Sequence, residues 1–250
     1  MTDLEWCIDY LSRQNNVKEK LDTSFDSFRA LCNISLPFSF SEEFYFRQDK
    51  IIKEELSKKK MVSIDEIPFK GNIGLYKGDI TLIKADAIVN ACNEKLLGCF
   101  IPLHNCIDNA IHSFAGLEVR RDLMKIKDLD KDEPNGQVKV TKGYNLPSRY
   151  IFHTVGPKVF SKVSKQNIVD LSSCYISSLE KAREMNLTSI VFPCISTGVY
   201  CFPSLEASNI AFNVVSDYLK KNKTDIKVIF NVFKDMDYLL YKERIDSYDN

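Results

Sequence analysis

The sequence predicts an α/β protein built on a largely parallel β-sheet and preceded by a helical segment. From residue 73 onward, short runs rich in β-branched and aromatic residues alternate with longer stretches whose apolar residues recur at helical spacing. Strands that alternate with helices in this way form sheets whose two faces are both covered by helices. The first 60 or so residues show helical periodicity only, so they are expected to lie outside this repeating unit.

The N-terminal part is expected to be a helical extension over residues 1–66, followed by the α/β domain over residues 67–250. One or two short amphipathic helices are predicted from apolar residues at helical spacing, at Leu4, Ile8, Leu11, Val17 and Leu21. A further helix is predicted over residues 42–58, with one apolar face formed by Phe46, Ile51 or Ile52, and Leu56. It ends in three lysines, which complement a helix dipole and indicate a solvated helix end.

In the α/β domain, strands are predicted over residues 73–76, 87–91, 138–141, 150–155, 190–195 and 226–232. Helices are predicted between them, over residues 105–114 with a continuation to 123, 168–185 and 205–219. Ligands of such sheets bind in the crevice beyond the carboxyl ends of the strands. The loops that directly follow strands are therefore the places where functional residues are expected.

The composition excludes several classes of partner. The chain carries 34 basic and 34 acidic residues, so no charge excess favours nucleic acid or a membrane surface. No apolar run approaches the roughly 20 residues that span a bilayer. The acidic N-terminus lacks the pattern of a secretory signal, so a cytoplasmic location is expected, where the eight cysteines would stay reduced.

Three loops that follow predicted strands carry candidate binding residues. Residues 78–81 (Gly-Asp-Ile-Thr) and the two asparagines of residues 89–93 suit a polar ligand, but turn formation and helix capping explain them equally well. Residues 195–203 offer consecutive backbone N–H groups, two hydroxyls and a glycine ahead of a predicted helix. Such a junction can bind phosphate without a lysine, although an ordinary connecting loop remains an equal alternative.

A fourth loop combines two cysteines and a histidine, Cys99, His104 and Cys106, within eight residues. Pro102 interrupts any continuous helix here, so the three side chains can converge from a loop. Two sulfur ligands and one nitrogen suit Zn²⁺, and three protein ligands would leave the fourth position open. The alternative is a buried loop with two core cysteines, because this spacing is not that of a zinc finger. Of the other histidines, His153 is interpreted as a core residue, and His112 as a hydrogen-bond partner of Asp108, one helical turn away.

Taken together, these segments resemble the macrodomain family, whose members are ADP-ribose-binding α/β modules. The resemblance covers roughly residues 73–241. The matching segments occur in the family's order, at residues 78–81, 87–93, 107–112, 141–147, 153–157 and 195–200. The resemblance implies a three-layer α/β/α fold with a mixed, largely parallel sheet.

The chain departs from the usual macrodomain pattern after Gly98, where most members carry a run of glycines around the distal ribose. The replacement, Cys-Phe-Ile-Pro-Leu-His-Asn-Cys, resembles the zinc-containing macrodomains of bacteria, which also carry a helical N-terminal extension. This resemblance implies one Zn²⁺ per chain, bound by Cys99, His104 and Cys106. Cys92 and Cys201 stand where alanine and glycine are common, which affects the fine shape of the expected pocket.

The resemblance also implies roles for individual residues. Asp79, beside the backbone of Ile80, matches the carboxylate that accepts from the adenine amino group, and Asn93 matches the asparagine at the distal ribose. The loop between the diphosphate and the distal ribose is matched by Cys106, Ile107, Asp108 and Asn109. The second phosphate loop is matched by Ser196, Thr197, Gly198, Val199 and Tyr200. Phe202 is expected to border the ribose.

The function implied is zinc-dependent removal of mono-ADP-ribose from modified protein side chains. Asn93 and Asp108 are the expected catalytic residues, Asn93 by fixing the sugar hydroxyls and Asp108 by positioning the attacking water. Two alternatives use the same pocket: a non-catalytic ADP-ribose reader with structural zinc, and an O-acetyl-ADP-ribose deacetylase. The resemblance further implies a protein substrate of the lipoyl-carrier type, like the glycine-cleavage H protein, modified by a sirtuin-type transferase.

Overall fold

The structure of the protein is a computed structural model that describes residues 1–248. Eight α-helices occur in this part of the chain: α1 (Asp3–Gln14), α2 (Phe25–Ile34), α3 (Glu42–Ser57), α4 (Ile107–Ala115), α5 (Glu118–Ile126), α6 (Lys165–Glu184), α7 (Ser204–Asn222) and α8 (Asp235–Asp246). The same residues contain nine strands: β1 (Val62–Ser63), β2 (Phe69–Lys70), β3 (Ile73–Lys77), β4 (Ile83–Lys84), β5 (Ala87–Cys92), β6 (Val138–Lys142), β7 (Tyr150–Val155), β8 (Ser189–Phe192) and β9 (Lys227–Val232). Among residues 1–248, no helix is both long and apolar enough to cross a membrane.

Seven of the strands form one mixed sheet in the order β2-β3-β9-β8-β5-β7-β6. The five central strands run parallel to one another, and β2 and β6 pair antiparallel at the two edges. Strands β1 and β4 form a separate two-stranded parallel pair. The predicted α/β class with a mixed, largely parallel sheet is therefore confirmed.

Short polar side chains set where the helices of the N-terminal segment begin. The Ser24 hydroxyl accepts from the backbone N–H of Ser27, and the Ser41 hydroxyl accepts from that of Phe44. Thr2 caps α1 in a reciprocal arrangement with Glu5. Each contact satisfies an N–H group that has no partner within its own helix.

The core consists of two apolar clusters, one on each face of the seven-stranded sheet. On one face, Leu31, Phe44 and Ile52 of the N-terminal helices are buried together with Ile88 of β5 and Ile111 of α4. On the other face, helices α6, α7 and α8 cover the sheet. Because the N-terminal helices contribute to the same core as the sheet, their packing is coupled to the position of α4.

Two predicted boundaries in the α/β domain were wrong. The strand predicted over residues 190–195 ends at Phe192, because Pro193 cannot donate the backbone hydrogen bond that an interior strand needs. The helix predicted over residues 105–123 is divided into α4 and α5 at Gly116, whose φ of +109° is incompatible with a continuous helix.

Two weaker predictions also differ from the structure, and one helix was not predicted. Val17 and Leu21 lie in the connection between α1 and α2 rather than in a helix. Phe46 of α3 is 62% exposed, so it is not on the buried face of that helix. Helix α8 was not predicted, because its buried apolar residues, Tyr241 and Ile245, are too few to produce a clear helical pattern.

Candidate active site

The polar loops identified from the sequence meet at one edge of the sheet. Asp79 follows β3, Asn93 follows β5 and Ser196 follows β8. These strands are parallel members of one sheet, and β8 lies directly beside β5. The topology therefore brings their carboxyl ends, and the loops that follow them, to the same side of the molecule.

Asp108 is a buried carboxylate in the first turn of α4, and it faces two asparagines of the β5 segment. Its side chain is only 5% exposed. Nδ2 of Asn90 donates to Oδ1 over 2.8 Å, and Nδ2 of Asn93 donates to Oδ2 over 3.4 Å. Burial raises the pKa of the carboxyl to about 6, while the Asn90 hydrogen bond and the charge of Arg120 act in the opposite direction. The two predicted catalytic residues, Asn93 and Asp108, thus lie in contact.

A hydrogen-bond network behind Asp108 was not predicted. The Asn90 amide that donates to Asp108 also contacts Nδ1 of His153 at 3.2 Å, and Nε2 of His153 lies 2.9 Å from the Thr141 hydroxyl. Because the Asn90 amide nitrogen can only donate, Nδ1 accepts and Nε2 carries the proton that is donated to Thr141. Burial lowers the pKa of His153 to about 3, which keeps it neutral. Its interpretation as a hydrogen-bonded core residue agrees with these contacts.

His112 does not form the hydrogen bond to Asp108 that was expected. Its Nε2 lies 3.5 Å from Oδ1 of Asp108 and has no hydrogen-bond partner within residues 1–248. The ring instead lies against Gly98, at the start of the candidate metal loop. A Cβ atom at Gly98 would be 2.8 Å from Nδ1 of His112, and the φ of Gly98 is +82°. Both the contact and the backbone conformation therefore require glycine at this position.

The candidate metal ligands converge as the sequence predicted. The ligand atoms of Cys99, His104 and Cys106 all lie within 4.8 Å of one another. Sγ of Cys99 and Nδ1 of His104 are 3.5 Å apart. With Zn–S near 2.3 Å and Zn–N near 2.0 Å, two ligands of a tetrahedral zinc ion lie about 3.5 Å apart. The three side chains thus fit a zinc ion in both chemistry and spacing.

Cys106 is also the N-cap residue of α4. Its Sγ accepts from the backbone N–H of Asn109 over 3.4 Å, and the helix dipole favours negative charge at this position. Burial raises the pKa of the Cys106 thiol to about 12. A bound cation would lower the pKa of this thiol, because a thiol that coordinates a metal loses its proton.

The loop between β8 and α7 is a tight turn with two residues in left-handed conformation. Ser196 and Cys201 both adopt left-handed φ values, of +65° and +57°, and the N–H of Phe202 closes the loop by donating to Ser196 O over 3.0 Å. The buried Ser196 hydroxyl has no protein hydrogen-bond partner among residues 1–248. Gly156, after β7, approaches it so closely that a Cβ there would lie 2.2 Å from Ser196 Oγ.

The remaining residues predicted for this loop differ in exposure. Gly198 and Val199 are exposed, and the Thr197 hydroxyl donates to Cys194 O over 3.0 Å. The Tyr200 hydroxyl donates to Glu94, in the loop after β5, over 3.2 Å. Phe202 is 2% exposed and belongs to the apolar core, so its contact with a ribose stays a prediction.

The side chain of Asp79, in the loop after β3, already has hydrogen-bond and ion-pair partners in the protein. Its Oδ1 accepts from both the N–H and the hydroxyl of Thr81, while Oδ2 lies 3.6 Å from the ammonium of Lys59. Lys59 follows α3, so the N-terminal segment reaches this end of the site. Ile80, the neighbour expected to present its backbone, is buried.

Comparison with known proteins gives consistent matches. Residues 89–211 match the family described as Macro domain. A protein-ADP-ribose hydrolase of Staphylococcus aureus (strain MRSA252) is 42% identical over 250 residues, covering 96% of this chain and 94% of that protein. A protein-ADP-ribose hydrolase of Treponema medium is 37% identical over 248 residues, covering 94% and 95%. A solved Trypanosoma brucei macrodomain in complex with ADP-ribose has a TM-score of 0.65 and 31% identity, and the match covers 86% of this chain and 94% of that one.

Proposed function

This chain belongs to the Macro domain family, and we propose that it is a zinc-dependent hydrolase that removes mono-ADP-ribose from modified side chains of proteins. Hydrolysis of protein-linked ADP-ribose follows from its similarity, over nearly the whole chain, to curated proteins of that name. The use of zinc and the role of each residue are proposed on the geometry of the site.

The observation that carries the zinc proposal is the direct connection between the three candidate ligands and the buried carboxylate. Cys106 precedes Asp108 by two residues at the start of α4. Asn93 donates through one amide group to both Gly98 O, over 3.1 Å, and Asp108 Oδ2, over 3.4 Å. A metal held by this loop would therefore lie next to the two proposed catalytic side chains.

Binding of ADP-ribose is assigned to the loops at the strand ends. Asp79 accepts from the adenine amino group beside the Ile80 backbone, and the loop from Ser196 to Tyr200 surrounds the diphosphate with backbone N–H groups. The start of α4, with Cys106, Ile107, Asp108 and Asn109, lies between the diphosphate and the distal ribose. Since the chain has no net charge, backbone dipoles rather than basic side chains hold the phosphates.

The bond broken joins C1″ of the distal ribose to the modified side chain. Cys99, His104 and Cys106 would hold the zinc ion, which would supply Lewis-acid chemistry when bound. Asn93 fixes the sugar hydroxyls, which removes rotational freedom before the reaction. The Asp108 carboxylate, itself held by Asn90, orients the attacking water and accepts its proton as the water oxygen bonds to C1″. The bond from C1″ to the modified side chain breaks, and that side chain leaves with the bonding electrons.

Metal content and turnover measured on the same samples test this proposal. Cys99→Ala and His104→Ala are expected to lose bound zinc and to stop releasing ADP-ribose from a mono-ADP-ribosylated carrier protein. Cys174→Ser is the control, because this buried thiol lies in α6, apart from the three candidate ligands, and donates to the carbonyls of Val155 and Asp170. Full turnover by zinc-free protein would rule out the zinc dependence.

The same experiment separates the hydrolase from a reader with structural zinc. A reader would hold ADP-ribosylated protein unchanged for hours, whereas the hydrolase releases free ADP-ribose. A parallel assay with O-acetyl-ADP-ribose compares the protein substrate with the small metabolite.

The proposed substrate is a lipoyl-carrier protein of the glycine-cleavage type modified by a sirtuin-type transferase, and the proposed location is the cytoplasm. We also assign residues 1–66 to a helical extension and residues 67–250 to the macrodomain.

A further inference from the structure

We propose that helix α2 of the N-terminal extension is a positioning element of the metal site, acting through Asn33 and Arg29 on the loop that carries Cys99, His104 and Cys106. The inference rests on the proposed binding of zinc by these three side chains. It assigns a role to the extension that the catalytic residues alone do not suggest.

Asn33 makes the direct contact with the metal loop. This side chain is 2% exposed, and its Oδ1 accepts from the backbone N–H of Leu103 over 2.9 Å. Leu103 immediately precedes His104 and has a left-handed φ of +54°, which a leucine rarely adopts. Nδ2 of Asn33 donates to the Ser113 hydroxyl of α4 over 3.2 Å. The buried amide of Asn33 thus connects the backbone next to His104 with α4, the helix whose N-cap residue is Cys106.

Arg29 acts on the loop through Asn109. Its Nη2 donates to Oδ1 of Asn109 over 2.8 Å, and its Nε donates to the Ser113 hydroxyl over 3.0 Å. Because Arg29 occupies the amide oxygen, the amide nitrogen of Asn109 is turned to the loop, where it donates to Ile101 O over 3.0 Å. The backbone N–H of Asn109 meanwhile donates to Sγ of Cys106. One residue, oriented from α2, therefore contacts both the middle and the end of the metal loop.

Arg120 of α5 adds a third contact between α2 and the loop. It is 1% exposed, and Nη1 of its guanidinium lies within hydrogen-bonding distance of the carbonyls of Cys32, Asn33 and Ser35 at the C-terminal end of α2. Its Cζ atom lies over the ring of Phe100, the residue after Cys99, 4.2 Å from the ring centroid. The end of α2 and the start of the loop are consequently held by the same cation.

These contacts hold the loop at Phe100, Ile101 and Leu103, which all lie between the ligands. A loop without regular secondary structure loses conformational freedom when its side chains converge on a metal. Contacts that form when the protein folds order the loop before the metal binds, which reduces this entropic cost. Groups that orient metal ligands affect both the affinity for the metal and the geometry of its ligands. The extension should therefore influence zinc affinity without contributing a ligand.

Zinc affinity measured by competition with a chromogenic chelator tests this inference on the full-length chain. Asn33→Leu and Arg29→Met are each expected to weaken zinc binding, roughly 10- to 100-fold as for other groups that support metal ligands. Asn33→Asp keeps an acceptor for the Leu103 N–H and should restore most of the affinity. The control is Arg47→Met, which removes the ion pairs of Arg47 with Asp3 of α1 and Glu43 of α3 within the extension and leaves the contacts of α2 in place. It should bind zinc like the wild type.

The absorption spectrum of the Co²⁺-substituted protein provides a readout of ligand geometry that is independent of activity. It should shift in Asn33→Leu and Arg29→Met and not in Arg47→Met. If the wild type binds no metal, the zinc proposal itself is wrong. If the wild type binds zinc and both loop-directed variants bind it equally tightly with unchanged Co²⁺ spectra, the inference about α2 is overturned. Arg29 is only half-buried, so its variant keeps the test decisive even if Asn33→Leu does not fold.

Discussion

The amide nitrogen of Asn93 lies 3.4 Å from Oδ2 of Asp108, which joins the end of strand β5 to the first turn of helix α4. The same nitrogen donates to Gly98 O, so the amide also holds the start of the metal loop. Because one side chain connects the carboxylate and the loop, a disturbance of either is expected to affect the other.

Replacement of the buried carboxylate should reduce catalysis while preserving metal binding. Asp108→Asn keeps the shape of the side chain but cannot accept a proton, so single-turnover release of ADP-ribose should fall by roughly 10²- to 10⁴-fold. Zinc content should remain at one ion per chain. Asp170→Asn, in helix α6 outside the site, is the control and should react at the wild-type rate. Wild-type turnover by Asp108→Asn would remove this residue from the mechanism.

Gly98→Ala should destabilise the protein and loosen the metal loop. The new Cβ would lie 2.8 Å from Nδ1 of His112, at a backbone φ of +82°. Such left-handed strain costs on the order of 1–3 kcal/mol, which urea unfolding can measure. Gly198→Ala is the matched control, since a Cβ there meets nothing within 4 Å, and its free energy of unfolding should change little. Equal stabilities of the two variants would contradict this account of Gly98.

Gly156→Ala should weaken ligand binding without changing metal content. Its Cβ would lie 2.2 Å from Ser196 Oγ and 2.7 Å from Ile195 Cγ2, so the proposed phosphate loop must move. Calorimetric titration with ADP-ribose is expected to show a Kd raised at least about tenfold, equivalent to about 1.4 kcal/mol. An unchanged Kd would indicate that this loop does not contact the diphosphate.

His153 should make the protein less stable in mild acid. Burial holds its pKa at about 3, below the ordinary value of 6.5. Between these two values the unfolded chain binds a proton that the folded chain does not, so the free energy of unfolding decreases as the pH falls below 6.5. The slope from this residue approaches about 1.4 kcal/mol per pH unit.

The matched variant for this prediction is His153→Gln, which can still accept from Asn90 and donate to Thr141. Urea unfolding at pH 7.5 and pH 5 should show a smaller loss of stability for His153→Gln than for the wild type. An identical loss in both proteins would show that His153 is not responsible for the pH dependence.

Much of the fold could be predicted because its signals are local. The parallel strands appear as short apolar runs, and the helices appear as apolar residues at helical spacing. Helix α8 was missed since only Tyr241 and Ile245 of its apolar residues are buried, and Met236 and Leu239 are exposed. The expected hydrogen bond between His112 and Asp108 was wrong because helical spacing places two residues on one face but does not set the orientation of the ring.

The sequence by itself determined the α/β class, the family resemblance and the three candidate metal ligands, because each depends on residue types at short spacing along the chain. Only the tertiary structure decided which distant residues form hydrogen bonds to the metal loop and to the site around Asp108. Asn33 and Leu103 are 70 residues apart in the chain and in contact in the fold, and Asn90 and His153 are 63 residues apart. Contacts of this kind follow from how helices and strands pack on a common core, and no local pattern specifies that packing.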